Sequence, residues 1–195
     1  MSQAVKNVKQ QFSYQNYLNF SDDQKYEIIE GSLFAMTPAP SIQHQRVLRR
    51  IFLSLANYLE GEECEVFTSP VDVLLQNGEG LIEDVNNIVQ PDIFVVCEQS
   101  KLKEKHCLGA PDFIVEIASP ANASLDYVKK LNLYEKYKVR EYWIVNYVKK
   151  NVLVYRLREN GEYDTPETYD DIEKDRINVG IFKGLTVNLR DFFQN

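Results

Sequence analysis

Apolar and polar residues along this chain alternate with two different periods. Val47, Leu48, Ile51, Phe52, Leu55 and Leu59 recur at spacings of three and four, which predicts an amphipathic helix. Ser41 stands ahead of this stripe as a helix cap and Gly61 behind it as a stop, so the helix runs to about Glu60. His44 lies four residues before Leu48 and therefore points to the buried side. Elsewhere the period is two. YEIIEGSLFAM (26–36) reads as a hairpin turning at Glu30-Gly31, and CEVFTSPVDVLLQ (64–76) as strand interrupted at Ser69-Pro70. QPDIFVVC (90–97) and APDFIVEIASP (110–120) each open on Pro-Asp and run into apolar, β-prone residues. Proline is tolerated at a strand's first position.

The rest of the chain fits around these segments. The first 20 residues are polar with scattered aromatics and predict a short helix or an extended arm. Asn122 or Ser124 can cap a second helix ending near Lys138, and REYWIVNY (140–147) pairs with VLVYRLR (152–158) across Lys149-Lys150-Asn151. One exposed strand is expected around Glu162 to Tyr169, and IFKGLTVNLRDFF closes the domain. The order is βαβββαββ, an α+β or mixed α/β domain around one sheet. A length of 195 residues suits a single domain over 1–195, with 1–20 as an N-terminal arm and 26–36 as an added hairpin.

The two Pro-Asp strands raise a geometric question. Paired as an antiparallel hairpin with a turn in 98–110, they can place Asp92 opposite Glu116, Phe94 opposite Ile114 and Val96 opposite Asp112. Opposed residues share a face with Cβ atoms ~5 Å apart, so Asp92 and Glu116 can reach one cation. Asp112 and Glu116 are separated by roughly 13 Å along the strand, beyond joint ligation. The other face, Ile93, Val95 and Cys97 beside Phe113, Val115 and Ile117, is wholly apolar and predicted core. Lys130, on the following helix, can return over the end of the Glu116 strand among Tyr127, Tyr134 and Tyr137. The alternative assigns Asp92 to a loop cap, Glu116 to an ordinary ion pair, and Lys130 to a snorkelling position or a pair with Asp126.

Composition narrows the chemistry. Cys64, Cys97 and Cys107 are an odd number without C-x-x-C spacing and read as reduced thiols rather than a zinc site. With only His44 and His106 present, a metal site would rest on carboxylates, which favour Mg²⁺, Mn²⁺ or Ca²⁺. No stretch approaches the ~18 apolar residues that span a bilayer. The N-terminus lacks a signal-peptide apolar region, so the cytoplasm is expected. Residues 159–176 carry eight acids and two bases, −6 of the net −7, so the remaining chain is near neutral. The Arg46-Arg49-Arg50 and Lys101-Lys103-Lys105 clusters read as solvated faces. There is no G-x-S-x-G, P-loop or G-x-G-x-x-G.

YEIIEG, MTPAPSIQHQ, QPD, APDFIVEIASP, DYVKKLNLY, VREYWIVN and KGLTVNL occur in an order that resembles the PD-(D/E)XK nuclease superfamily. Within it, the chain is most similar to a large bacterial restriction-endonuclease-like family of uncharacterised function. The resemblance implies an αβββαβ core, a central mixed sheet flanked by helices, with catalytic residues in 90–147. It implies a metal-dependent phosphodiesterase acting on DNA, with Mg²⁺ or Mn²⁺ as cofactor. Asp92 and Glu116 match the motif acids; with the Ile117 carbonyl they would hold the ion. Ala118 stands where the superfamily's usual lysine would be, and Lys130 matches the position to which the family moves that amine. His44 and Glu30 fall on family motifs as substrate or outer-shell candidates, and Asp126 would orient Lys130. A homodimer is expected where both DNA strands are cut. The rival reading is a catalytically weak or inactive nuclease-fold module that binds nucleic acid or protein.

Overall fold

A computed structural model of the chain describes residues 11–20, 25–36, 39–76, 78, 80–118 and 125–194, the side chains of 125 and 126 excepted. Along the chain run α1 (Tyr14–Tyr17), β1 (Tyr26–Ile29), β2 (Ser32–Ala35), α2 (Ile42–Leu59), β3 (Glu65–Thr68), β4 (Asp72–Leu74), β5 (Ile88–Val89), β6 (Ile93–Val96), β7 (His106–Leu108) and β8 (Phe113–Ala118). A π-helical stretch, Leu125–Lys130, leads into α3 (Leu131–Lys136). Then follow β9 (Glu141–Asn146), β10 (Asn151–Arg156), β11 (Glu167–Tyr169), β12 (Arg176–Asn178), β13 (Thr186–Asn188) and α4 (Leu189–Phe193).

The elements α2, β3, β6, β8, α3 and β9 follow the expected αβββαβ order. Their strands form a six-stranded mixed sheet in the order β11-β10-β9-β8-β6-β3, in which only β8 and β9 are parallel. One face packs its alternate residues, among them Ile93, Val95, Phe113, Val115 and Trp143, on the α2 stripe and on Phe192 and Phe193 of α4. The other face presents Phe94, Val96, Ile114, Tyr142 and Ile144 to Leu133 and Tyr134 of α3 and to a second sheet. Such two-sided burial is why these strands read as nearly continuous apolar runs.

The helix and hairpin boundaries follow local chemistry. The Ser41 hydroxyl accepts the His44 backbone N–H at 3.1 Å, capping α2, and Gly61 supplies the positive φ of its exit. Glu30 and Gly31 both have positive φ, 49° and 71°, the hairpin-turn conformation that matches strand twist. β1 and β2 pair with Glu27 opposite Phe34 and Ile29 opposite Ser32.

Three expectations are corrected. The structure has a second, five-stranded sheet, β2-β1-β5-β4-β7, and a two-stranded β12-β13 pair, rather than one sheet. Residues 98–110 are not a simple turn: they contain a 3₁₀ turn at Gln99–Lys101 and β7, which leaves for the second sheet and pairs parallel to β4. Cys107 on β7 is fully buried, so that sheet anchors the excursion. Finally, Cys64 and Cys97 form a disulfide. The antiparallel register that pairs Glu65 with Val96 makes them the next opposed residues. Cys107 remains a free thiol whose pKa burial pushes up to about 11.

The acidic segment is partly neutralised where it lies. Glu167 pairs with Arg156, Asp164 with Arg158, and Glu173 with Arg190. Deeper in, the fully buried Glu141 carboxylate accepts from Trp143 Nε1 at 2.7 Å and from the Ile181 backbone at 3.2 Å, tying the C-terminal segment to β9.

Two measurements test this packing. Ile51→Ala, on the fully buried α2 stripe, is expected to cost about 2–5 kcal/mol in urea unfolding. Burial raises the Glu141 pKa above its ordinary value, so the folded chain binds that proton more tightly than the unfolded chain. Its stabilisation is complete below the ordinary value and is lost as pH rises through the raised one. The stability difference between wild type and Glu141→Gln should therefore fall as pH rises across that window; a flat difference would contradict it.

Candidate active site

Asp92 sits immediately before β6, and the Phe94-Ile114 register continued by two residues sets it opposite Glu116. This is the register expected from the two Pro-Asp segments. Asp92 Oδ2 accepts the Ile117 backbone N–H at 2.8 Å and lies 3.2 Å from His44 Nε2. Strand backbone and α2 therefore fix the carboxylate from two sides. The His44 ring meets Tyr147 edge-on at 6.2 Å, and its buried Nδ1 has no hydrogen-bond partner among the described residues.

Glu116 is buried in the middle of β8, between β6 and β9. Its Oε1 accepts from Lys130 Nζ at 2.9 Å and from the Tyr134 hydroxyl at 2.8 Å. Lys130 and Tyr134 lie one turn apart where the π-helical stretch passes into α3, so both reach back over the strand. Lys130 Nζ also lies 2.9 Å from Glu27 Oε1, and the side chains of Lys130, Glu27 and Glu116 are each 5% exposed. Glu27 Oε1 takes a further hydrogen bond from the Gln90 backbone at 2.9 Å. Burial and the Glu116 charge push the Tyr134 hydroxyl well above its ordinary pKa, so it serves Glu116 as a neutral donor.

The structure thus brings together Asp92, Glu116, Lys130 and His44, with Ile117 adjoining through its backbone. Lys130 neither snorkels nor stands free. Glu30 lies apart, exposed at the hairpin turn and paired with Lys136 at 3.1 Å. The Asp126 side chain lies outside the described residues. Asp112, read as structural, bonds the Cys97 backbone and Arg140. Sequence reasoning missed Glu27 as a partner of Lys130. The available signal was an acid inside the apolar YEII run, where an unpaired carboxylate would be costly.

Among the described residues, three carboxylates against one ammonium give this cluster a formal charge of −2. Among the described residues no three His, Cys, Asp or Glu side chains form a group suited to a metal. The available set is instead the opposed Asp92 and Glu116 carboxylates with nearby backbone carbonyls. Such oxygen donors fit a hard divalent cation that keeps several waters.

Comparison with known proteins agrees with this architecture. The Uma2 family model, described as "Putative restriction endonuclease", matches residues 10–190. A Synechocystis sp. protein of uncharacterised function is 25% identical over 154 residues, 77% of each chain. The crystal structure of an Anabaena variabilis protein, described as a putative nuclease belonging to DUF820, superposes with a TM-score of 0.73. That match is 18% identical and covers 93% of this chain and 97% of the other, a likeness of fold. No helix among the described residues is long and apolar enough to cross a membrane.

Lys130→Ala should destabilise the protein by about 3–5 kcal/mol in urea unfolding, because Glu27 and Glu116 lose their shared buried cation. Adding Glu27→Gln should recover part of that loss, since one fewer buried charge then lacks compensation. Additive losses in this double-mutant cycle would refute the coupling.

Proposed function

The chain belongs to the Uma2 family, and from that premise we propose that it is a nuclease hydrolysing DNA phosphodiester bonds with Mg²⁺ or Mn²⁺. The observation that carries this reading is the opposed Asp92-Glu116 pair with the Lys130 amine 2.9 Å from Glu116. The helix-borne lysine compensates for Ala118 at the usual strand position. Asp92, Glu116 and the Ile117 carbonyl would hold the ion, whose chemistry is activation of water and polarisation of a phosphate oxygen.

The chain's own groups have distinct tasks. His44 and the Ile117 N–H hold Asp92 in orientation, and Tyr134 does the same for Glu116. Glu27 holds Lys130 close to Glu116, where the amine can stabilise negative charge developing at phosphorus. The whole chain, 1–195, would act as one domain with its catalytic core in 90–147. It would work in the cytoplasm and as a homodimer when both DNA strands are cut.

A second reading is a non-cleaving module. It is favoured by Lys130 being 5% exposed and engaged by two carboxylates rather than turned toward solvent. Incubation with plasmid and branched DNA in Mg²⁺ or Mn²⁺ separates the two. The nuclease reading expects wild type to cut, and Asp92→Ala or Glu116→Ala to lose at least about a hundredfold in rate. Glu27→Gln, acting through Lys130, should lose about 10–100-fold. No cutting by wild type, together with no Mg²⁺ or Mn²⁺ binding by calorimetry, would favour the module.

A further inference from the structure

The hairpin face that carries Glu27 continues into a recess. Ile29, Ser32 and Phe34 share that face, and Lys129, Asn132 and Leu133 of the helical segment lie across from it. Between them is a recess of about 220 Å³. Its floor is apolar, with Ile29 and Leu133 buried, and its wall is the Phe34 ring. Its rim is polar: Ser32, Asn132 and Lys129 are exposed, and Glu30 is already paired with Lys136.

The lining offers groups that a ligand can use. Lys129 Nζ is held 4.1 Å over the Phe34 ring and has no carboxylate partner among the described residues. The Ser32 hydroxyl and the Asn132 amide likewise have no hydrogen-bond partner among the described residues. The position is equally specific. Phe34 is directly opposed to Glu27, with Cβ atoms ~5 Å apart, and Lys129 adjoins Lys130, so the recess opens beside the Glu116 cluster.

We propose that this recess is a subsite for one unpaired nucleotide adjacent to the phosphodiester that is cut, an inference that rests on the nuclease reading. The base would lie against Phe34 over the apolar floor, its polar edge meeting Asn132 and Ser32. Lys129 would exchange its ring contact for the nucleotide's phosphate. A paired base cannot enter without leaving the duplex stack, whereas an unpaired one enters at little cost. An aromatic platform with a basic neighbour is the chemistry that retains single-stranded nucleic acid. The expected substrate is therefore DNA with a flap, overhang or bulge.

Binding is measured by fluorescence anisotropy in EDTA, without cleavage, on a blunt duplex and on the same duplex bearing one unpaired nucleotide. Wild type should bind the second about tenfold or more tightly. Phe34→Ala and Asn132→Trp, the latter filling the recess from an exposed helix position, should abolish that preference while leaving blunt-duplex binding unchanged. Lys129→Ala should reduce the salt dependence of binding by about one phosphate contact. Equal binding of both DNAs by wild type, or a preference that survives Asn132→Trp, overturns the proposal. If circular dichroism shows Phe34→Ala to be unfolded, Asn132→Trp decides. Cleavage is scored separately: preference without cutting would refute the nuclease reading and leave the recess as a nucleotide-binding site alone, and cutting without preference would refute the subsite and keep the nuclease.

Discussion

An ammonium group removed from water must be compensated, and around Lys130 that requirement organises the molecule. Its charge is met by Glu27 from the first hairpin and Glu116 from the middle of the central sheet. Losing either acid would leave a costly imbalance inside the protein, so the hairpin, β8 and the segment ahead of α3 are held in one arrangement. Such a cluster sits more readily at a functional site than in a core chosen for stability, because apolar residues of similar volume would hold the fold as well.

Gln90 extends the constraint outward. Its backbone N–H binds Glu27, its side-chain amide donates to Asp72 at 2.7 Å, and the Tyr17 hydroxyl donates to the same Asp72 oxygen at 2.9 Å. Pro91 and Asp92 follow immediately. The chain thus crosses from the five-stranded to the six-stranded sheet through a residue fixed at both its backbone and its side chain. Asp92 is delivered opposite Glu116 with little freedom to drift.

Much of this was legible in the sequence because the relevant signals were periodic or local. Alternation around Phe94 and Ile114 gave the strand register, and Ser41 and Gly61 bounded α2. What escaped notice depended on partners distant in the chain or on elements too short for a period. β4 and β7 have three residues and β5 has two, so the second sheet left no readable alternation beyond the β1-β2 hairpin. The disulfide is visible only once β3 is known to pair with β6. Glu27 looks like any acid in a half-buried strand until Lys130 is placed against it. Lys130 was placed over the Glu116 strand by its position on the following helix, where a surface lysine suited the spacing equally, and the family resemblance then supplied its role.

The parallel β8-β9 ladder and the Glu27-Lys130 pair also bear on how the protein is made. The β6-β8 and β8-β9 pairs that carry the site are closed by long-range contacts, which form slowly because the intervening chain must first be ordered. During synthesis Glu27, Asp92 and Glu116 leave the ribosome before the lysine that neutralises two of them. A chain halted before Lys130 therefore carries the acids without the ammonium. The buried charge cluster is therefore completed only late in synthesis, once Lys130 joins the acids that precede it.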